Sequence, residues 1–168
     1  MEIKIIRSRR RKRTVSARMN KDILVVNAPA WLPEERLGKI VADFTSKFEK
    51  KMIKEELDKK QSLPEIAARL NNRYFGNKLK INSIEYVTGQ RSKFGCCDYR
   101  SAAIRISHRI GLMPEWVRDY VIIHEMAHLI EPNHGSLFWD IVSRYKLTER
   151  ARGYLMAVGL ELDKEELQ

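Results

Sequence analysis

Cysteine is scarce in this sequence: there are two, Cys96 and Cys97, and they are adjacent. A bridge between chain neighbours is strained, and the pair lacks the spacing of a zinc knuckle, so neither a disulfide framework nor a cysteine-held metal organises the chain. Long apolar runs are missing too. No stretch approaches the ~20 residues needed to span a bilayer, and the opening MEIKIIRSRRRKR puts arginines where a signal peptide needs apolar residues. Together these absences predict a cytoplasmic protein with reduced thiols and no membrane partner. There is also no Gly-rich phosphate loop, no internal repeat and no low-complexity tract.

With 168 residues, 43% of them hydrophobic, the chain has enough apolar material for one core without cross-links. Any metal it binds is therefore expected to be catalytic rather than structural. The net charge of +10 is uneven, because residues 1–21 hold nine Lys/Arg against one acid, Glu2, while the remainder is nearly balanced. Such a block, with Arg9, Arg10, Arg11 and Arg13 at its centre, attracts nucleic acid, a nucleotide or an acidic protein surface over long range. The plainer alternative is a solvated basic edge whose charges discourage aggregation.

Alternating β-branched and charged residues predict an antiparallel meander over residues 2–26, formed by MEIKII, TVSARM and ILVVNA with a turn at Asn20-Lys21-Asp22. After Pro33, the residues from Leu37 to Leu57 follow helical spacing in one long amphipathic helix. Ser62-Leu-Pro-Glu65 has the form of a capping box opening a second helix that Gly76 ends. KINSIEYV reads as a strand, and SKFGCCDY with AAIRIS as a hairpin across Arg100-Ser101. Pro114 fits the first turn of WVRDYVIIHEMAHLI, and Pro132 closes that helix at about Glu131. Ser136 and Thr148 are expected to cap two final helices. The expectation is a single α+β domain over 1–168, with basic strands 1–27, a helical segment 33–76 and a catalytic core 80–168.

Three of the four histidines fall within HEMAHLIEPNH, residues 124–134. Positions four apart on a helix differ by about 40° around the axis and about 6 Å along it, so His124 and His128 can aim at one point, with Glu125 projecting beside them. This is the content of H-E-x-x-H: two imidazole ligands and a carboxylate that can hold a water without ligating. A hydrolytic zinc wants a third ligand and an open position. On a continuing helix His134 would lie about 240° from His128, but a helix stopped by Pro132 lets it fold back. The rival third ligands are Glu149 on a later helix and, ranked lower, Asp140 and Glu131. The bland reading is a partly buried helix whose histidines are merely satisfied.

The segment from Gln90 to Trp139 resembles the YgjP-like metallopeptidase family, related to the SprT-like proteases. The family pattern is a W-G-S-C hairpin, an apolar strand, a proline, Y-V-x-x-H-E-x-x-H-L and N-H-S-x-x-F-W. Tyr120, Val121, His124, Glu125, His128, Leu129, Asn133, His134, Phe138 and Trp139 match it. Phe94 stands where the family has Trp, Cys96 where it has Ser, and Gly135 is inserted before Ser136. The basic start and the Ala28-Pro29 strand end extend the likeness over nearly the whole chain. The resemblance implies a minimal zincin-like core with the hairpin beside the metal helix. Its edge strand would take up an extended peptide by backbone pairing.

The leading expectation is thus a zinc-dependent peptidase. Zinc would lower the pKa of its water to around 7, and Glu125 would act as general base toward a peptide or protein substrate. Two alternatives are a metal-dependent nucleotide or phosphoanhydride hydrolase, and a nucleic-acid-associated module using the basic strands. Cys97 aligns with the family's cysteine but has no base beside it and reads as a packed thiol. Phe138, Trp139, Ile141, Val142 and Tyr145 read as core packing more than as a substrate pocket.

Overall fold

A computed structural model describes residues 2–60, 62–90 and 93–158. Among these are six helices and two three-stranded sheets in a mixed α+β arrangement. The chain divides into two compact units, Met1–Ile53 and Lys54–Gln168, and the long helix α1 (Glu34–Lys60) runs from one into the other. No helix among the described residues is long and apolar enough to cross a membrane.

In the first unit, β1 (Glu2–Ser8), β2 (Ser16–Asn20) and β3 (Ile23–Pro29) form a sheet in the order β1-β3-β2. This corrects the antiparallel meander. β2 and β3 do form a hairpin, but β1 pairs parallel to β3, from Glu2 opposite Ile23 to Ser8 opposite Pro29. The reason lies in burial. ILVVNA is apolar on both faces, with Leu24, Val25 and Val26 all buried, so it takes the central place and leaves the charged strands at the edges. Residues 9–15 need to span only two inter-strand spacings, about 10 Å, to carry the chain across β3. Ala28, Leu32 and Leu37 are buried together, with Val15, Ile40 and Val41 packed on them.

In the second unit the end of α1 is followed by α2 (Leu63–Phe75). Ser62 is its N-cap, as expected, but its side chain makes no capping bond, so the position is met without the bond that a capping box supplies. Its far end is as expected: Gly76 takes a left-handed conformation (φ 59°), and the Asn77 N–H returns to the Asn71 carbonyl. Buried Asn71 also reads both backbone groups of Leu79, donating to its carbonyl at 2.8 Å and accepting from its N–H at 3.2 Å. The strands β4 (Ser83–Val87), β5 (Gly95–Asp98) and β6 (Ala103–Ser107) follow, in the order β4-β6-β5, with β5–β6 the expected hairpin. Asp98 ties its turn, accepting from the Ser101 hydroxyl at 2.6 Å and from the Arg100 N–H at 3.1 Å.

A short turn of helix, α3 (His108–Gly111), leads to α4 (Glu115–Ala127), α5 (Ser136–Val142) and α6 (Thr148–Ala157). Ser136 and Thr148 are the first residues of their helices, not caps; Gly135 and Leu147 hold the cap positions. Thr148 instead binds the carbonyls of Val142 and Tyr145, at 2.9 and 2.8 Å, which locks the link between the last two helices. α4 ends at Ala127, a turn earlier than expected, because Leu129 and Ile130 donate three residues back, to Met126 and Ala127.

α4 is tied to α2 by a part-buried charge cluster, in which Arg118 and Asp119 are buried and Arg69 is half exposed. Arg69 reaches both carboxylate oxygens of Asp119, at 2.9 and 3.2 Å, while Arg118, only 4% exposed, lies 3.3 Å from the same carboxylate. The next acid is Glu115, at 4.0 Å from Arg118. Removing one partner of a buried pair strands the other charge. Asp119→Ala should therefore lower stability by about 3 kcal/mol, read as a shift of the urea midpoint. A loss below about 1 kcal/mol would mean Arg118 finds other solvation.

Candidate metal centre

From Val117 to His128 every residue of the α4 region is buried except His124 and His128. A helix apolar on nearly all sides belongs in a core, and its cover is missing only where these two imidazoles lie, four residues apart. His134 reaches the same place from the loop after Pro132. One ligand nitrogen from each of the three histidines lies within 4.8 Å of the others, and Nε2 of His134 is 3.1 Å from Nε2 of His124. Nitrogens at about 2.0–2.1 Å from one tetrahedral zinc would stand about 3.3 Å apart, a spacing that the His124–His134 pair already has and that leaves His128 within reach of the same ion.

The ring orientations have identifiable causes. His128 Nδ1 is 3.2 Å from the Glu131 carbonyl, which can only accept; the proton thus belongs on Nδ1 and the lone pair on Nε2. The short last turn of the helix creates this contact. Beneath all three rings sits the fully buried Phe138 of α5, with centroids 4.8 Å from His124, 4.6 Å from His128 and 4.6 Å from His134. Trp139 covers His134 at 6.0 Å, and Arg152 lies over Trp139 at 4.6 Å. His124 is pushed well below the usual imidazole pKa, first by burial and then by the charges of His128, His134 and Arg152. It is neutral at pH 7, the form that donates a lone pair.

Glu125 is 6% exposed and faces the hairpin. A Cβ at Gly95 would stand 2.7 Å from both Cγ and Cδ of Glu125, so only glycine lets β5 approach the carboxylate this closely. β5, α4 and the loop at Pro132–His134 enclose a cleft of about 290 Å³, lined by Gly95, Cys96, Cys97, Tyr99, Glu125 and the three histidines, with Lys93 and Asn133 also contributing. Cys97 is pushed up to about 12, chiefly by burial and next by the negative charge of Glu125. Both thiols are free.

The remaining candidates fall elsewhere. Glu149 on α6 is largely exposed and bound to Arg152 at 3.1 and 3.3 Å. Of the polar side chains on and beside the hairpin, Tyr99 lines the cleft, whereas Arg105 and His108 are not in its lining. Phe138, Ile141, Val142 and Tyr145 are buried, as core packing requires. Arg9, Arg10, Arg11 and Arg13 belong to the link between β1 and β2 in the first unit; Arg11 donates to Ser16 Oγ at 3.1 Å and the other three are exposed. Residue spacing alone does not reveal the contact of Gly95 with Glu125 or the place of Phe138 under the rings. The family pattern contains both residues without saying what they touch.

Residues 78–151 match the YgjP-like metallopeptidase domain. Among solved structures, the chain is similar to the crystal structure of the metallopeptidase zymogen of Pyrococcus abyssi abylysin, with 18% identity and a TM-score of 0.49 over 56% of this chain and 90% of that one. No curated protein matches. Over residues 78–151, which hold the hairpin, the three clustered histidines and Glu125, the chain is thus similar to the YgjP-like metallopeptidase domain.

Proposed function

We propose that this protein is a zinc-dependent peptidase, with His124, His128 and His134 as the metal ligands and Glu125 as general base. The observation that carries the reading is the meeting of three imidazole nitrogens within 4.8 Å beside a buried carboxylate. When bound, zinc supplies a Lewis acid that makes hydroxide available near neutral pH and polarises the substrate carbonyl.

The chain's own residues do the rest. The Glu125 carboxylate takes the proton of the attacking water and hands it to the leaving amine nitrogen. Gly95 keeps the hairpin against Glu125 and limits the carboxylate's freedom, which favours one productive direction. An extended peptide is taken up along β5, an edge strand of its sheet whose residues 95–97 line the cleft. Backbone pairing of this kind asks little of the substrate's side chains. Lys93 is the one cation in the described cleft lining, which favours a peptide over a phosphate ester as substrate. A thiol held near pKa 12 is protonated at neutral pH, which favours water over Cys97 as nucleophile.

Protein purified without a metal-affinity tag should hold about one zinc per chain by elemental analysis. Glu125→Gln should keep that metal and lose peptide cleavage by about 100-fold or more. His134→Ala should lose most of the zinc, and a fully metallated variant would reopen the search for the third ligand at Glu149. Gly95→Ala should retain zinc while turnover falls about 100-fold, because the new methyl displaces Glu125; unchanged turnover would remove the close approach from the mechanism. In a Cys96→Ala background at pH 8, iodoacetamide should label Cys97 about a thousandfold more slowly than an unperturbed thiol. Labelling at the ordinary rate would show an available thiolate and revive the nucleophile.

A further inference from the structure

The first unit carries a cationic loop and an exposed aromatic ring that cleavage of a peptide does not use. The loop is residues 9–15, RRRKRTV, between β1 and β2. Arg9, Arg10, Lys12 and Arg13 are exposed, and no ion pair holds them among the described residues. Arg7, by contrast, is engaged internally. Its guanidinium pairs with Glu34 and donates to the carbonyls of Ala30, at 3.2 Å, and Leu32, at 2.8 Å.

Those two carbonyls flank Trp31. Trp31 is 62% exposed, and its Nε1–H donates to the Lys12 carbonyl at 3.1 Å. The tryptophan is thus fixed at both ends, by Arg7 through its neighbours' backbone and by its own N–H on the basic loop. With its one polar atom satisfied by main chain, the ring presents π surface to solvent beside exposed cations.

We propose that this surface binds single-stranded nucleic acid, with Trp31 as a stacking platform for an unpaired base and Arg9, Arg10, Lys12 and Arg13 on the adjoining phosphates. The cations alone would attract any polyanion. The ring is what selects. A duplex keeps its bases stacked on one another and has no free face to offer, and an acidic peptide supplies carboxylates without a flat π surface to cover the indole. Unpaired bases supply both the charge and the face.

The test is fluorescence anisotropy of a labelled oligothymidine of about fifteen nucleotides with the full chain, across a range of salt. Neutralising three or four phosphates should give a log–log salt slope of about −2 to −3, with weaker binding to a duplex of equal length. Trp31→Ala should weaken binding by about fivefold or more and keep the slope, and Trp31→Phe should retain most of the affinity, which separates loss of stacking from loss of fold. Combined Arg9→Gln, Arg10→Gln and Arg13→Gln should flatten the slope and leave the zinc content unchanged. No binding at low salt, equal affinity for duplex, or an unaffected Trp31→Ala variant would each overturn the proposal. Displacement of the oligonucleotide by a polyglutamate peptide at equal charge would assign the surface to an acidic protein instead.

Discussion

Three imidazoles drawn from eleven consecutive residues can meet only if the helix carrying the first two stops at once. The last turn of α4 meets this demand by tightening: Leu129 and Ile130 bond three residues back, and the Glu131 carbonyl turns to Nδ1 of His128. One local distortion therefore has three effects. It ends the helix at Ala127, selects the His128 tautomer, and returns the chain through Pro132 so that His134 comes within hydrogen-bonding distance of His124. α5 then begins at Ser136, close enough in sequence that Phe138 falls under all three rings. An aromatic floor cannot hydrogen-bond to the rings, so it restricts their tilt without competing for their lone pairs.

The second constraint is the distance between helix and hairpin. β5 could pack on α4 through larger side chains, but a residue with a Cβ at position 95 would meet the Glu125 carboxylate. Glycine brings the strand's backbone to the carboxylate itself, and the two elements then define the walls of one cleft. That closeness also acts on Cys97, whose thiol is kept neutral by burial and by the Glu125 charge together. A carboxylate and a thiolate would be poor neighbours here, and the arrangement keeps Cys97 as the neutral thiol.

Much of this architecture is legible in residue spacing. Helical periodicity marks α1 and α4, the Gly76 stop is realised, and the β5–β6 hairpin turns where Arg100-Ser101 indicate. The HEMAH spacing and Pro132 together point to the meeting of His124, His128 and His134, because both are local rules of helix geometry. What spacing leaves out is non-local. Alternation shows that β1 is a strand but not which neighbour it takes, and a fully apolar β3 claims the centre of the sheet and makes β1 its parallel partner. The Gly95 contact spans thirty residues of sequence and is invisible to any periodic reading. The cap positions miss by one residue at Ser136 and Thr148, and at Thr148 the reason is visible: its hydroxyl is taken by the carbonyls of Val142 and Tyr145.

The basic start of the chain carries two separate charge groups, and burial distinguishes them. β1 is an edge strand with Ile3, Ile5 and Ile6 each about two-fifths exposed, an arrangement open to edge-to-edge pairing. Lys4, between Ile3 and Ile5 on β1, interrupts that apolar row, and Arg18 stands exposed on β2 at the other edge; both serve the protective role that charged edges serve elsewhere. Arg9, Arg10, Lys12 and Arg13 stand between the strands and shield neither edge. Their mutual repulsion in so short a loop opposes folding unless an anion offsets it. A loop needing only to cross one strand could do so with neutral residues, and its carbonyl at Lys12 would not need an exposed tryptophan as donor. Charge beyond what the edges require, set beside a fixed aromatic face, is a feature that aggregation control leaves unexplained and that a stacked, phosphate-bearing ligand accounts for.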